Sequence, residues 1–537
     1  MKSLKERRWY KAYPPKVKKE LDIPEVPLYS LLEKSAEQFG NRMAIIQDDT
    51  QISYKKLKNK VDRLAGAWNE LGLKKGERIG LIVSNHPFYI VSYYAAIRLG
   101  LIVVQINPRY TEREFLQIVN DSNMKYIVVE EENIDKVYKI NEMQTFTHIF
   151  VIDSTNKKHY SVNMLAENSK PLEAEVPIDV KEDVAVIQYT GGTSGVMKGA
   201  MLTHFNLVAN VSQSHTMYGE NMEFGKEIIL IATPLYHVYA MTSGMNLGVY
   251  IGATILLIKK FEVTEVLELI KQYQPTFFPG VPRMYNAFVN HKSVKKYSLN
   301  SLKFCTSGSA PIPIEVIRKF ENITGAEIGE GFGLSEASPT THRNPPSGIR
   351  KIGSIGIPLP NTDCKIVDVK DLELPVGSVG ELIIKGPQIM KGYWKNEEET
   401  NKTLRNGWLY TGDLAKQDED GYFYIVGRKK ELIINGGFNV YPQEVENILY
   451  EHPDIKECAV IGVPHQEGEI VKAYIVPKEG ALIDFEELKG FCYRNLTPYK
   501  VPKQFEIIEA LPRNTVGKIL KRILVKKEQE KLDDAGS

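Results

Sequence analysis

Between Tyr189 and Gly199 the chain reads YTGGTSGVMKG, which sets Gly191, Gly192 and Gly195 among the hydroxyls of Thr190, Thr193 and Ser194 and ends on Lys198. Glycines expose backbone N–H groups, the hydroxyls add donors and the lysine adds charge, so the segment has the chemistry to surround phosphate oxygens. The apolar run DVAVIQ directly before it reads as a buried strand, which a flexible linker would not require. The spacing excludes a Walker A loop. That motif needs Gly before its lysine and Ser or Thr after it, whereas Met197 and Gly199 stand here.

Such a loop needs a scaffold, and the sequence supplies one by alternation. SYKKLKNKVDRLAGAWNELG has the spacing of an amphipathic helix, RIGLIVS of a short buried strand, and HPFYIVSYYAAIRLG followed by LIVVQIN of a second helix and strand. The pattern recurs through KYIVVEE, THIFVID, EIILIAT, ATILLIK, TFFPGV and LKFCTSG, so roughly the first 350 residues are expected to form doubly wound α/β subdomains. From about Gly353 the texture changes to CKIVDV, GELIIKG, WLYTGD and YFYIVGR, short strands separated by Gly, Pro and Asp turns, as in a small antiparallel β-barrel-like subdomain. After Arg428-Lys429-Lys430 the chain reads as a compact α+β unit, so a large domain over 1–429 and a small one over 430–537 are expected. The charged end KKEQEKLDDAGS reads as a frayed tail.

Composition narrows the function classes. Of the 537 residues 43% are hydrophobic and 25% charged, which excludes disorder, and 68 basic against 67 acidic side chains leave no net field to draw the chain onto nucleic acid. Cys305, Cys364, Cys458 and Cys492 are widely spaced and read as structural thiols of a reducing cytoplasm. Ile228 to Ile258 carries no charged residue and is long enough to span a bilayer, but Pro234, His237, Gly244, Gly248 and Gly252 divide it into strand, loop, buried helix and strand. The basic N-terminus has no apolar run of signal-peptide type, and reads as a solvated arm or a weak electrostatic contact with anionic lipid.

The segment YTGGTSGVMKGAMLTHFNLVAN resembles the signature loop of the adenylate-forming acyl-CoA synthetases. PLYHVYA, TSGSAPIP, GEGFGLSEAS, GWLYTGDLA, GRKKELIINGGFNVYPQEVE and PRNTVGKILKR follow in the order of that superfamily, and PLYHVYA, NGGFNVYP and NTVGKIL are most similar to long-chain fatty-acid–CoA ligases. The resemblance covers nearly the whole chain. It implies ATP, Mg2+ and coenzyme A as cofactors, with the phosphates held by the loop from Thr190 to Lys198. The bound cofactor would also meet Gly308, Ser309, Ala310, Pro311, Gly331, Gly333 and Ser335, with the Phe332 ring stacked on adenine. Phe332 stands where the family more often has Tyr and Ser335 where it more often has Thr, so any contact through the Tyr hydroxyl is lost.

By the same resemblance Glu336 and Thr190 hold the metal, Asp413 accepts the ribose hydroxyls, and Arg428 reaches ribose or phosphate. His237 places the acyl carboxylate, Lys430 is the hinge of a mobile C-terminal domain, Gly436 and Gly437 border the pantetheine channel, and Lys518 is the catalytic lysine. The acyl pocket would run along Tyr236 to Gly244, Phe278 to Arg283 and Ser307 to Ala310. The expected reaction joins a medium- to long-chain fatty acid to coenzyme A through an acyl-adenylate, releasing pyrophosphate and AMP. The expected partners are these substrates, a peripheral membrane surface and a second copy in a homodimer, with no nucleic acid. The rival readings are an adenylation enzyme serving a carrier protein, a luciferase-like oxygenase and an inactive scaffold.

Overall fold

Short β-branched runs that are buried along their length, such as Ile102–Gln105 and Tyr126–Glu130, can satisfy their backbone only inside a sheet covered on both faces. The computed structural model describes residues 7–143, 145–154, 156, 159–191, 197–465, 468–514 and 517–536 of the chain. It divides into two units, Met1–Asp363 with Lys385–Leu409, and Cys364–Ile384 with Tyr410–Ser537.

The first unit holds two sheets. In one, the parallel strands Arg78–Ile82, Ile102–Gln105, Tyr126–Glu130, His148–Ile152 and Val184–Gly191 lead to the antiparallel Met197–Thr203 and an edge at Gly392–Tyr393. In the other, the parallel strands Thr254–Leu257, Ile228–Ile231, Phe277–Gly280, Phe304–Ser307 and Ile328–Gly333 continue into the antiparallel Thr340–Arg343. Both are the doubly wound arrangement expected of alternating strands and helices. A single core joins the inner faces of the two sheets, with Ile79, Leu81 and Val103 from one and Ile229, Ile231 and Ile255 from the other. Helix Pro87–Arg98, apolar on nearly every face, lies within that core, started by Pro87 and by the His86 ring that accepts the Phe88 amide at 3.1 Å.

The uncharged stretch resolves as the sequence indicates. Strand Ile228–Ile231 is followed by a loop, a helix wound wide over Ala240–Asn246 that continues through Leu247–Tyr250, and strand Thr254–Leu257. Among the described residues no helix is long and apolar enough to cross a membrane. All four cysteines are buried and free of disulfides.

Two expectations fail. From Arg7 onward the N-terminal segment is not a solvated arm. Trp9, Tyr13 and Val17 are buried, the Tyr13 hydroxyl donates to the Pro358 carbonyl at 2.7 Å, and Arg7 pairs with Asp363 at 2.5 Å. Three apolar side chains spaced by four residues outweigh the pull of the intervening lysines into water.

The second correction lies in the other unit. There a small sheet contains the antiparallel pair Trp408–Gln417 and Phe423–Arg428, and a second sheet is built on the long antiparallel pair Ile455–His465 and Gly468–Pro477. The chain ends in helix Lys521–Gly536 rather than a frayed tail. Glu528 on this helix is buried, accepts the Tyr474 hydroxyl at 2.6 Å and pairs with Lys472 at 2.8 Å. Buried ion pairing holds a segment whose composition alone favours solvent.

Candidate active site

The strands that flank the glycine-rich segment pair antiparallel, with Tyr189 opposite Gly199 and Thr190 opposite Lys198. This differs from a strand-to-helix phosphate loop, because the lysine sits on the returning strand and its position is set by sheet register. Gly199 has to be glycine. A Cβ there would stand 2.6 Å from the Ile187 side chain and 3.1 Å from the Tyr189 ring. Gly191 closes the outgoing strand, while Gly192, Thr193, Ser194 and Gly195 lie outside the described residues.

Lys198 pairs with Glu399, and its ammonium lies 5.6 Å from the centroid of the Tyr393 ring. Tyr393 is fixed opposite Ala200 by the edge strand Gly392–Tyr393, and its hydroxyl donates to Glu336 Oε1 at 2.8 Å. Burial, reinforced by the adjacent Glu336 charge, holds the Tyr393 phenol well above its ordinary pKa. Glu336 sits in the turn Ser335–Ala337, and its carbonyl accepts the Met390 amide at 2.8 Å. Thr190, Lys198 and Glu336 are therefore linked through Tyr393 and the hairpin register. Sequence reasoning missed Tyr393 and Glu399. The one signal was Asn396, which caps helix Glu397–Thr403 and sets Glu399 in its first turn.

A second group forms around His237. Asn85 clasps the loop before it, accepting the Leu235 amide at 2.8 Å and donating to the carbonyls of Thr233 and Ile258 at 3.2 and 2.9 Å. Gln188, two residues before Thr190, donates to the Tyr236 carbonyl at 3.3 Å, so the histidine loop borders the base of the hairpin. The His237 ring accepts the Tyr239 amide at Nδ1, which places the proton of the neutral ring on Nε2.

Tyr239 bonds Thr306 Oγ1 at 2.8 Å, and its ring comes so close to Gly308 that a Cβ there would stand 3.1 Å from it. Ser309 follows with φ +69°, turning the backbone sharply before Ala310 and Pro311. On strand Ile328–Gly333, Phe332 meets the His342 ring edge-on at 6.1 Å, and a Cβ at Gly333 would stand 2.4 Å from the Pro339 carbonyl.

The other unit carries the remaining residues. Asp413 and Arg428 face each other across paired strands, with Nε 3.0 Å from Oδ1 and the carboxylate almost wholly buried. Lys430 lies in the turn Lys429–Glu431 that ends this pair. Gly436 and Gly437, with φ of +57° and +81°, form the two-residue tip between Ile433–Asn435 and Phe438–Val440. Both take the left-handed conformation that such a tip requires.

Lys518 follows Gly517, whose φ is +87°, and its amide donates to the Asn514 side chain at 2.8 Å. Arg513 donates to the Gly517 carbonyl at 2.5 Å and is itself held by Glu457 at 3.0 Å, so Gly517, directly before the lysine, is tied to Arg513. The structure thus brings together Lys198 with Glu336, Tyr239 of the His237 loop with Gly308, and Asp413 with Arg428, while Lys518 and Gly436–Gly437 occupy separate loops.

Residues 32–394 match the family described as AMP-binding enzyme, and residues 444–518 match the AMP-binding enzyme C-terminal domain. A long-chain-fatty-acid–CoA ligase of Bacillus subtilis strain 168 is 40% identical over 98% of this chain and 99% of its own, and one of Salmonella typhimurium is 36% identical over the same shares. Among solved structures, the anthranilate CoA ligase AuaEII in complex with anthranoyl-AMP aligns with a TM-score of 0.89 at 26% identity, covering 95% of this chain and 99% of that one. ATP-bound MatB from Rhodopseudomonas palustris aligns at 0.87 and 31%, covering 94% and 99%. With two family domains in order and full-length relatives on either side, the chain belongs to the AMP-binding enzymes, the adenylate-forming acyl-CoA synthetases.

Proposed function

We propose that this chain is an ATP-dependent fatty-acid–CoA ligase for medium- to long-chain acids, and that the residues above divide its two half-reactions. Full-length similarity to long-chain-fatty-acid–CoA ligases supports the reaction. The observation that carries the site reading is the convergence of Lys198, Tyr393 and Glu336 beside the glycine-rich hairpin. In the first step a fatty carboxylate oxygen bonds to the α-phosphorus of ATP and pyrophosphate leaves. This chemistry needs positioning and charge neutralisation rather than an enzyme nucleophile.

His237 orients the acid, Lys198 and the hairpin amides hold the phosphates, and Lys518 offsets the charge where carboxylate meets phosphate. Asp413 accepts the ribose hydroxyls beside Arg428, while Phe332 stacks on adenine among Gly308–Pro311, Gly331, Gly333 and Ser335. In the second step the CoA sulfur bonds to the acyl carbon and AMP leaves, with Gly436 and Gly437 bordering the pantetheine arm. The segment from Lys430 onward turns about that residue between the steps.

Mg2+ fits this site. Among the described residues no three His, Cys, Asp or Glu side chains group to hold a metal unaided, so further ligands have to come from phosphate and water. Tyr393 anchors Glu336 through Oε1, and the carboxylate retains a second oxygen for a hard cation, with the Thr190 hydroxyl as a further donor. When bound, Mg2+ supplies charge neutralisation at the phosphates.

The same reading places the protein in the cytoplasm, as a homodimer with peripheral membrane contact. The exposed Lys11, Lys16, Lys18 and Lys19 support the membrane contact. Vesicle co-sedimentation unchanged by K16E/K18E/K19E would remove that contact, and light scattering reads the assembly. The reaction is tested by CoA-dependent AMP release across acids from acetate to oleate. Higher efficiency with acetate than with decanoate or longer would overturn the substrate class.

A further inference from the structure

Strands Phe304–Ser307, Ile328–Gly333 and Thr340–Arg343 lie side by side, with Thr306 opposite Gly329 and Gly331 opposite Arg343. Side chains alternate along a strand, so Thr306, Gly329, Gly331 and Arg343 share one face. The glycines leave the middle strand bare there. A Cβ at Gly329 would meet nothing nearer than a backbone carbonyl at 3.7 Å, whereas at Gly331 the His342 carbonyl already stands at 3.0 Å.

Arg343 stands at the far side of this bare strip and is only 2% exposed. Its guanidinium lies 4.3 Å from the centroid of the fully buried Tyr218 ring. Among the described residues no Asp or Glu pairs with Arg343, and its Nη1 makes no hydrogen bond of ordinary geometry. Arg350, in the same unit, shows the usual solution, since Glu321 accepts from both its terminal nitrogens at 2.5 and 3.0 Å. A cation–π contact offsets only part of the cost of removing a guanidinium from water, and arginine cannot shed its charge.

The surroundings say which ligand could supply the missing anion. The same face carries Thr306, bonded by Tyr239, whose ring packs on Gly308. Ser243, on the helix that follows His237, bonds Thr340 of Arg343's own strand at 3.3 Å. Burial raises the pKa of the Tyr239 phenol, and the Thr306 hydrogen bond and the Arg343 charge oppose that rise. Tyr239, two residues after His237, thus bonds Thr306 on the sheet face that also carries Arg343, and this is the side of the site proposed for the acyl group.

We propose that Arg343 is the receptor for a second carboxylate on the acyl substrate, so that this ligase activates dicarboxylic acids, with the remote carboxylate seated on the guanidinium above Tyr218. The inference rests on the acyl-ligase reading. A carboxylate is favoured over a hydroxyl because only an anion restores neutrality in a buried site, and it can meet the planar fork through two hydrogen bonds.

The test compares hexanoate with hexanedioate, decanoate with decanedioate, and hexadecanoate with hexadecanedioate, by CoA-dependent AMP release in wild type, Arg343→Met and Arg343→Lys. At one chain length or more the wild type should use the diacid at least as efficiently as the monoacid. Arg343→Met should lower diacid kcat/KM by about 100-fold, the scale of truncating one partner of a buried charge pair. It should leave monoacid kcat/KM within about threefold, and Arg343→Lys should recover part of the diacid activity.

Monoacids turned over with no diacid accepted at any length, or equal losses for both acids in Arg343→Met, would overturn the proposal. If no acid of either kind is turned over, the ligase reading fails by itself. The receptor is then judged by melting: stabilisation by decanedioate in wild type but not in Arg343→Met supports it, and no stabilisation or an equal shift overturns it.

Discussion

The Tyr393 hydroxyl donates to Glu336 at 2.8 Å while its ring faces the Lys198 ammonium, so one side chain sets the spacing between a carboxylate and a cation. Tyr393→Phe keeps the ring and deletes the donor. It is expected to weaken apparent Mg2+ affinity by about 10–100-fold, as loss of a supporting hydrogen bond commonly does, without weakening apparent fatty-acid affinity. Magnesium titration of pyrophosphate release at saturating acid reads the effect, and equal damage to both affinities would make Tyr393 a merely structural residue. Glu330 makes a separate prediction from the neighbouring strand. Burial pushes its carboxyl up to about 7, against the Gly353 amide that donates to it at 2.7 Å and the nearby Arg350 charge. Because the folded value lies above the ordinary 4.5, stability from this group is complete below 4.5 and is lost as pH rises through about 7. Glu330→Gln keeps an acceptor without the charge, so it should change Tm little at pH 5 and raise it by roughly 2–5 °C at pH 8. A difference that does not grow with pH would mean that folding leaves the Glu330 carboxyl at its ordinary value.

Helix Lys521–Gly536 depends on contacts distant in sequence. Burial alone would raise the Glu528 and Glu506 carboxyls, but Lys472 and Lys531, joined by Tyr474 at Glu528 and by Lys527 at Glu506, hold both down to about 2. Folded values below the ordinary 4.5 mean that this stability is present above about 4.5 and lost as pH falls toward 2. Glu528→Ala leaves Lys472 buried with one partner fewer and should cost about 3–5 kcal/mol near neutrality, with a shallower acid limb in denaturation followed by circular dichroism. An unchanged acid limb would show that the cluster does not anchor the helix. The same helix marks where sequence reading stops. Apolar runs announced the parallel strands because burial on both faces leaves a local signature, and glycine-rich segments announced the hairpin because tight turns admit few other residues. The tail has no apolar period, and its partner Lys472 lies 56 residues from Glu528. Tyr393 and Glu399 were hidden for a related reason: a tyrosine and a glutamate outside a glycine-rich segment look like any others until sheet register sets them beside Lys198. The N-terminal lysines drew attention toward solvent, although Trp9, Tyr13 and Val17 already carried the four-residue spacing of a docked segment.

At the scale of the whole molecule Thr190, Lys198 and Glu336 belong to one unit, while Asp413, Arg428, Lys430 and Lys518 belong to the other. If the proposed half-reactions share these residues, substitutions in the second unit should separate them. Gly517 and Lys518 are tied through backbone and side-chain bonds to Asn514 and Arg513, so Lys518→Ala removes an ammonium without breaking these bonds. If Lys518 has the role proposed above, the variant should lose acyl-adenylate formation, since no uncharged side chain offsets the charge where carboxylate meets phosphate, and should keep transfer from supplied acyl-adenylate to CoA largely intact. Lys430 makes the opposite prediction. It lies in the turn after Arg428, and proline there fixes φ and removes a backbone donor. If Lys430 is the hinge proposed above, Lys430→Pro should still make adenylate while losing thioester formation, because proline would hinder the change of dihedral angles between the steps. Both half-reactions are measured for both variants, pyrophosphate release for the first and thioester formation from supplied acyl-adenylate for the second. Equal damage to both steps with an unchanged thermal melt would mean that the two steps share one arrangement of the chain, and a lowered melt would assign the damage to folding.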